Sequence, residues 1–277
     1  MKHMIYTLTL SPAVDVYIEL DTLEEGKINK TSRERFVVGG KGINVSLALK
    51  ALGVESIPIT VLGGFTGKYI KDNLKKHFNP ILFYTEEPTR MNIKILEEQK
   101  ETAINVIQPL PKHISLEIKR VLSALMPEDI LVVSGSGSYQ DYAFLLENLV
   151  CKIILDVDGN NLRKLLYISP WIVKPNDEEL MAIAPSVEEA YSILLEKAEV
   201  ILHTKGSLGV TLRKKDFEYS LLPQKTDIIT SVGCGDAFLA GFLASTLEKQ
   251  TLENSLAFAM KCGYYRGRKQ SFLIRKK

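Results

Sequence analysis

Cysteine is scarce in this chain: Cys151, Cys234 and Cys262 are the only three in 277 residues. None stands in a C-x-x-C pair or at a Cys/His spacing, which excludes a disulfide framework and the common structural zinc patterns and fits a reduced, cytoplasmic protein. Long apolar runs are missing too. No stretch of 18 uninterrupted apolar residues exists, so no membrane span is expected. The opening "MKHMIYTLTLSPAVDVYIEL" lacks the apolar core and small-residue cleavage site of a secretory signal. An excess of either charge is absent as well: 35 basic and 33 acidic side chains leave a net charge of +2, which calls for no nucleic-acid partner. Repeats, low-complexity tracts and long flexible linkers are not found. The basic tail "YYRGRKQSFLIRKK" reads as a solvated terminus.

What is present is an alternation. Near-continuous apolar runs at 4–10, 56–63, 129–135, 152–158, 171–176 and 200–206 predict parallel strands covered on both faces. Helical patterns follow them. In "GINVSLALKALG", Ile43, Leu47 and Ala51 fall on one predicted face and Gly53 stands where the helix should end. "GKYIKDNLKKHF" repeats the spacing with Ile70, Leu74 and Phe78, and further helices are expected near 141–150, 177–183, 187–198, 236–248 and 252–264. The alternation predicts one α/β domain over 1–277 with an open, mostly parallel sheet. Residues 14–37 and 89–107 break the rhythm: apolar and polar residues alternate there, with charged turns, as in antiparallel strands with one wet face. Paired, they form either a small sheet acting as a lid or two surface hairpins.

Two familiar phosphate-binding patterns fail. "GGFTGKY" (63–69) has three residues between its glycines where a Walker loop needs four, and Tyr69 follows its lysine where a hydroxyl amino acid should. No strand–GxGxxG–helix fingerprint occurs. Four other stretches hold more. "VVGGKGINVS" (37–46) brings backbone N–H groups, the Lys41 ammonium and the Asn44 amide to one helix start, either a binding turn for a small polyol or a packing turn. "WIVKPNDEEL" (171–180) sets Lys174, Asn176 and Glu179 around a strand end, either near a metal's water shell or as an acidic helix cap. Gly206 and Gly209 in "LHTKGSLGVTL" line a nucleotide or turn a hairpin. "SVGCGDAFLAGF" (231–242) pairs a glycine turn, suited to anions, with a carboxylate at a helix start.

Taken in order, "GGKGINV", "KPNDEEL" and "GCGDAFLAGF" resemble the PfkB (ribokinase-like) carbohydrate kinases, and "TLTLSPAVDVYIEL", "TRMNIKIL" and "KIILDVDG" are similar to its hexose-phosphate branch. The resemblance runs over roughly residues 4–265. It implies a ribokinase-like three-layer sandwich with a β-sheet lid and ATP-dependent, Mg²⁺-requiring phosphorylation of a phosphorylated ketohexose. Fructose 1-phosphate is the favoured acceptor and tagatose 6-phosphate the alternative. Beside these stand a kinase of an unphosphorylated sugar and an inactive sugar-phosphate-binding relative.

By the same resemblance, the backbone of Gly233, Cys234 and Gly235 forms an anion hole and Asp236 is the general base. Asp15, Gly40, Lys41 and Asn44 take the sugar, and Arg90, Lys30 and Ser136 assist, Arg90 on its phosphate. Lys174, Asn176, Thr204, Gly206 and Gly209 fall to ATP, with Asn176 and Glu179 holding Mg²⁺ through water. Cys234 stands where relatives usually have alanine. "SGSGSYQD" (134–141) is shorter than the branch's loop and lacks its proline, and 261–277 carries tyrosines and charges where relatives have small residues. A homodimer through the lid sheet is expected.

Overall fold

The computed structural model describes residues 4–98, 100–222 and 232–268. Its strands are β1 (Ile5–Thr9), β2 (Ala13–Glu19), β3 (Glu34–Gly39), β4 (Ser56–Gly63), β5 (Ile81–Thr85), β6 (Met91–Leu96), β7 (Glu101–Ile104), β8 (Ile130–Ser134), β9 (Lys152–Asp156), β10 (Ile172–Val173), β11 (Val200–Thr204), β12 (Val210–Lys214) and β13 (Phe217–Leu221). The helices are α1 (Lys41–Ala51), α2 (Gly64–Leu74), α3 (Lys112–Leu122), α4 (Tyr139–Leu146), α5 (Gly159–Leu165), α6 (Asp177–Met181), α7 (Val187–Leu195), α8 (Cys234–Leu247) and α9 (Leu252–Gly267).

Nine strands form one sheet in the order β13-β12-β11-β10-β9-β8-β1-β4-β5. All neighbours from β5 to β11 pair in parallel, and only β12 and β13 are added antiparallel. Alternation along each strand divides the core. Leu131, Val133 and Ile201 face a layer made by α3, α4, α5, α6 and α7, while Ile130, Val132, Val200 and Leu202 face α1, α8 and α9. This is the expected three-layer sandwich. Helix α1 departs from its expected single apolar stripe. Ala51 is exposed, and Val45, Ala48 and Leu49 are buried together with Ile43, because the sheet, α8 and the lid side cover the helix on several faces. Ile70, Leu74 and Phe78 are buried as expected, against Val14 of the small sheet.

The second sheet has the order β3-β2-β6-β7. Its outer pairs are antiparallel, but the central pair, β2 with β6, is parallel. Alternating polarity reveals that a strand has a wet face and says nothing about its partner's direction. The predicted strand at 171–176 shrinks to two residues, since Pro175 has no N–H to give a ladder. "KGSLG" turns a hairpin between β11 and β12. From β1 the chain moves outward through β4 to β5, then returns to β8 on β1's other side, and the crevice at such a reversal is where open α/β sheets bind ligands.

Candidate functional site

Two glycine turns, 193 residues apart in sequence at their capping residues Gly40 and Gly233, meet at that crevice. Gly40 caps α1 with φ of +134°, and a Cβ there would stand 2.9 Å from the Thr9 methyl. Only glycine suits both demands. Gly233 caps α8 in the left-handed region, at φ of +77°. It turns the chain into the start of α8, and a helix start of this kind suits an anion. Asp236 is the third residue of α8 and is buried. Asn44, in the first turns of α1, donates from Nδ2 to Asp236 Oδ2 at 2.8 Å. Burial, with the like charge of Asp156, lifts the Asp236 carboxyl to a pKa of about 6, against the opposing pull of Asn44 and two lysines. Burial also pushes the Cys234 thiol up, which disfavours its thiolate form.

Below the turn lies a buried ion cluster. Asp156, at the end of β9, has no exposed side-chain surface, and its Oδ1 accepts from Lys174 at 3.0 Å and Lys41 at 3.3 Å. Burial alone would raise the Asp156 carboxyl; the two ammonium groups hold it below its ordinary range. Lys41 is correspondingly raised, by Asp156 first and then by Glu179 and Asp236. Lys174 Nζ lies 3.4 Å from where a Gly235 Cβ would stand, so its charge sits directly beside the glycine turn. Lys174 is itself buried, at 6% exposure. Asp156 was not singled out from the sequence. A carboxylate at a strand end acquires meaning only when the fold brings lysines from two other elements to it.

Asn176 and Glu179 form a reciprocal capping box on α6: Asn176 Oδ1 accepts from the Glu179 N–H at 2.8 Å, and Glu179 Oε2 accepts from the Asn176 N–H at 2.9 Å. The other Glu179 oxygen lies 4.0 Å from Lys41 Nζ. Among the described residues, no cluster of three or more His, Cys, Asp or Glu side chains could hold a metal by itself. Thr204 ends β11 beside Asn176, and its N–H donates to the Pro175 carbonyl at 3.0 Å. Gly206 and Gly209, at φ of +54° and +104°, shape the hairpin that follows.

On the lid side, Asp15 packs on Gly39, where a Cβ would come within 2.6 Å of its Oδ2, and it accepts from Asn92 Nδ2 at 2.9 Å. Asp15 and Asn44 line a cleft of about 470 Å³ with Tyr17, Arg35, Val232 and Arg266 among its other walls. Arg90 stands immediately before β6. Its guanidinium donates to the carbonyls of Ser11 at 2.9 Å, Val106 at 2.6 Å and Pro12 at 3.4 Å. Ser136 is exposed on the loop after β8, and Lys30 is exposed between β2 and β3 and does not line the cleft. The structure therefore joins Asp15, Gly40, Lys41, Asn44, Lys174, Gly233, Cys234, Gly235 and Asp236 around the crevice, with Asn176, Glu179 and Thr204 at its border.

Comparison with known proteins assigns the chain to a family. The chain is 36% identical to the 1-phosphofructokinase of Borreliella burgdorferi over 94% of its own length and 90% of that protein's. It is 30% identical to the D-tagatose-1-phosphate kinase of Klebsiella oxytoca, over 94% of this chain and 91% of that one. The solved structure of phosphofructokinase-2 from Escherichia coli superposes with a TM-score of 0.87, covering 95% of this chain and 92% of that one at 23% identity, a likeness of fold. Residues 9–266 match the pfkB family carbohydrate kinases. The chain is a member of that family: a carbohydrate kinase, which transfers phosphate to an alcohol.

Proposed function

We propose that the protein transfers the terminal phosphate of ATP to a ketohexose that already bears a phosphate, converting fructose 1-phosphate to fructose 1,6-bisphosphate. The observation that carries this reading is Asp236. It is a buried carboxylate held by Asn44 beside the glycine turn, with a pKa near 6, close to the range where a general base both is ionised at neutral pH and accepts a proton readily. Relatives named for fructose and tagatose 1-phosphates support a ketohexose phosphorylated at C1.

In this reading the acceptor hydroxyl gives its proton to Asp236 as its oxygen bonds to the terminal phosphorus, and the bond from that phosphorus to ADP breaks. The backbone N–H groups of Gly233, Cys234 and Gly235, backed by Lys174 and Lys41, meet the charge on the moving phosphoryl group. Phosphoryl transfer depends mainly on such positioning and charge. Asp15 and Asn44 take sugar hydroxyls. Mg²⁺ shields the negative charge of the ATP phosphates when bound. It usually keeps several waters and needs only one or two protein oxygens, and the Glu179 oxygen outside the capping box fits that demand. Asn176, whose Oδ1 is engaged by α6, contributes less. Lys174, Asn176, Thr204, Gly206 and Gly209 border the nucleotide in the same reading, in a cytoplasmic enzyme.

The protein also pairs through its lid in this reading. Among the described residues the outer strands β3 and β7 each have one edge without a strand partner, and Phe36, Ile104 and Ile107 are exposed beside them. Sedimentation of the parent and an Ile104→Lys variant tests it, and a parent that is monomeric at micromolar concentration rejects it. ADP release from Mg·ATP with fructose 1-phosphate, tagatose 6-phosphate, fructose 6-phosphate, fructose and ribose tests the activity. Asp236-dependent turnover of one phosphosugar is the expected result. Turnover of fructose or ribose alone overturns the phosphosugar acceptor.

A further inference from the structure

The nucleotide side of the crevice stands on short elements. Strand β10 ends after two residues, and the chain runs through Pro175 into α6, a helix of five residues that carries Glu179 behind the N-cap Asn176. Backbone contacts from β11 hold the approach to it: the Thr204 N–H donates to the Pro175 carbonyl at 3.0 Å, and Thr204 pairs with Asn176 in an isolated bridge. Leu180 plugs the helix into the core, but apolar contact is non-directional. The rotation of α6 about its own axis needs a directed bond.

His203 supplies one. It precedes Thr204 on β11 and lies two residues from Ile201, so it shares the face of the sheet turned toward α6 and α7. A buried imidazole is costly unless both of its nitrogens are satisfied. Burial holds the ring's pKa below its ordinary value, so near neutral pH it carries a single proton. An ionised carboxylate only accepts, which puts that proton on Nε2. Nε2–H then donates to Asp177 Oδ1 at 2.9 Å, and Nδ1 accepts from the Tyr191 hydroxyl at 2.7 Å. One directed chain thus joins Tyr191 of α7, His203 of β11 and Asp177, the first residue of α6. The His203 side chain is 1% exposed and that of Asp177 57%. The buried ring is therefore the fixed partner, and the wet carboxylate is the group it holds. Gripping Asp177 from the side sets the turn of α6. With it goes the direction of the Glu179 oxygen that the capping box leaves over, 4.0 Å from Lys41 Nζ.

We infer that His203 is a positioning residue for the phosphate donor: backed by Tyr191, it grips Asp177 and so aims Glu179 into the nucleotide side of the crevice. This rests on the reading that gives Glu179 to the Mg²⁺ of the donor. His203 touches no reacting group, and its effect passes through α6 alone.

The test compares Asp177→Ala, His203→Asn and His203→Gln with the parent, in the full chain. Mg·ADP binding is measured by calorimetric titration, and the KM values for Mg·ATP and for the phosphosugar by ADP release. Asparagine is too short to span from Tyr191 to Asp177, whereas the glutamine amide keeps a donor near the position of Nε2. Asp177→Ala and His203→Asn are expected to weaken Mg·ADP binding and raise the Mg·ATP KM about tenfold, the low end for groups that orient metal ligands, with the phosphosugar KM within about twofold. His203→Gln is expected to bind Mg·ADP nearly as the parent does. Loss of the Asp177 charge alone would favour an anionic nucleotide, so weaker binding in Asp177→Ala reports lost positioning. Unchanged Mg·ADP binding in Asp177→Ala overturns the inference. So does an equal rise in both KM values, the sign of a general loosening. If His203→Asn fails to fold, Asp177→Ala, altered at an exposed side chain, decides alone. Mg·ADP binding needs no acceptor, so the result stands whichever sugar is phosphorylated. Glu179→Gln, which keeps the capping box and loses the charge, separates the two levels. If it binds Mg·ADP as the parent does, the donor reading has failed and the inference falls with it; if it binds weakly and Asp177→Ala does not, the inference alone has failed.

Discussion

Asn44 Nδ2 and Asp236 Oδ2 are 2.8 Å apart, a hydrogen bond that ties the first turns of α1 to the first turn of α8 across 192 residues of sequence. The bond fixes the carboxylate's rotamer and leaves Oδ1 outside the contact. Asp236→Asn keeps the shape and removes the base. Steady-state assays should show kcat falling on the order of 10²–10⁴-fold, with the sugar KM little changed. Turnover at the parent rate would show that Asp236 takes no proton.

The same bond sets a pH limit. Asp236 must be ionised to act, so kcat/KM should fall as pH drops through its pKa of about 6. The Asn44 amide stabilises the charged form and holds that pKa down. Removing it in Asn44→Ala should move the acid limb of the kcat/KM profile to higher pH. A limb that stays put, or moves to lower pH, would mean that another group is being titrated.

Gly39→Ala probes the floor under Asp15. The added Cβ would come within 2.6 Å of Asp15 Oδ2, so the carboxylate must shift. No left-handed strain arises, because Gly39 is not among the residues with positive φ. The expected result is a sugar KM raised several-fold, against a loss of stability of about 1–3 kcal/mol from overpacking. Denaturant melts and KM values measured on the same preparation separate the two effects.

His203 gives stability its own pH dependence. Its ring is buried between the Tyr191 hydroxyl, 2.7 Å from Nδ1, and Asp177 Oδ1, 2.9 Å from Nε2. Burial holds its pKa below the ordinary value of 6.5, against the pull of Asp177. As pH falls below about 6.5 the unfolded chain gains a proton that the folded one still refuses, so stability falls, by at most about 1.4 kcal/mol per pH unit. Above that pH the contribution is complete. In His203→Gln the loss of stability between pH 7.5 and pH 5.5 should shrink, and an undiminished loss would assign the slope elsewhere.

The sequence carried the sandwich well because buried parallel strands leave a local mark. β4 occupies Ser56–Gly63, the whole of its apolar run. The motif glycines were also legible, since their backbone demands are local. Helix α3 had a clear signal that went unread: Ile114, Ile118 and Leu122 recur at helical spacing and are all buried. Strands β5, β12 and β13 are short and amphipathic, with little to separate them from loops. Pairing was not legible at all. Asp156 finds Lys41 and Lys174, and Tyr17 finds Arg35 and Lys94, only through contacts between distant segments. The partners of Arg90 were equally out of sight: its donors go to the carbonyls of Ser11, Pro12 and Val106.

Those carbonyls have a mechanical meaning. The chain passes between the large sheet and the lid at four places: around Ser11 and Pro12, at Gly39 and Gly40, at Arg90, and after Ile104. Arg90 belongs to one of these passages and grips two others, at Ser11–Pro12 and at Val106, while the remaining one is a glycine pair. One side chain thus knots three of the four cords on which the lid hangs. Any swing of the small sheet against the large one has to pivot about that knot and bend at the glycines, so that the strands of the lid travel together, as a rigid leaf on a single hinge.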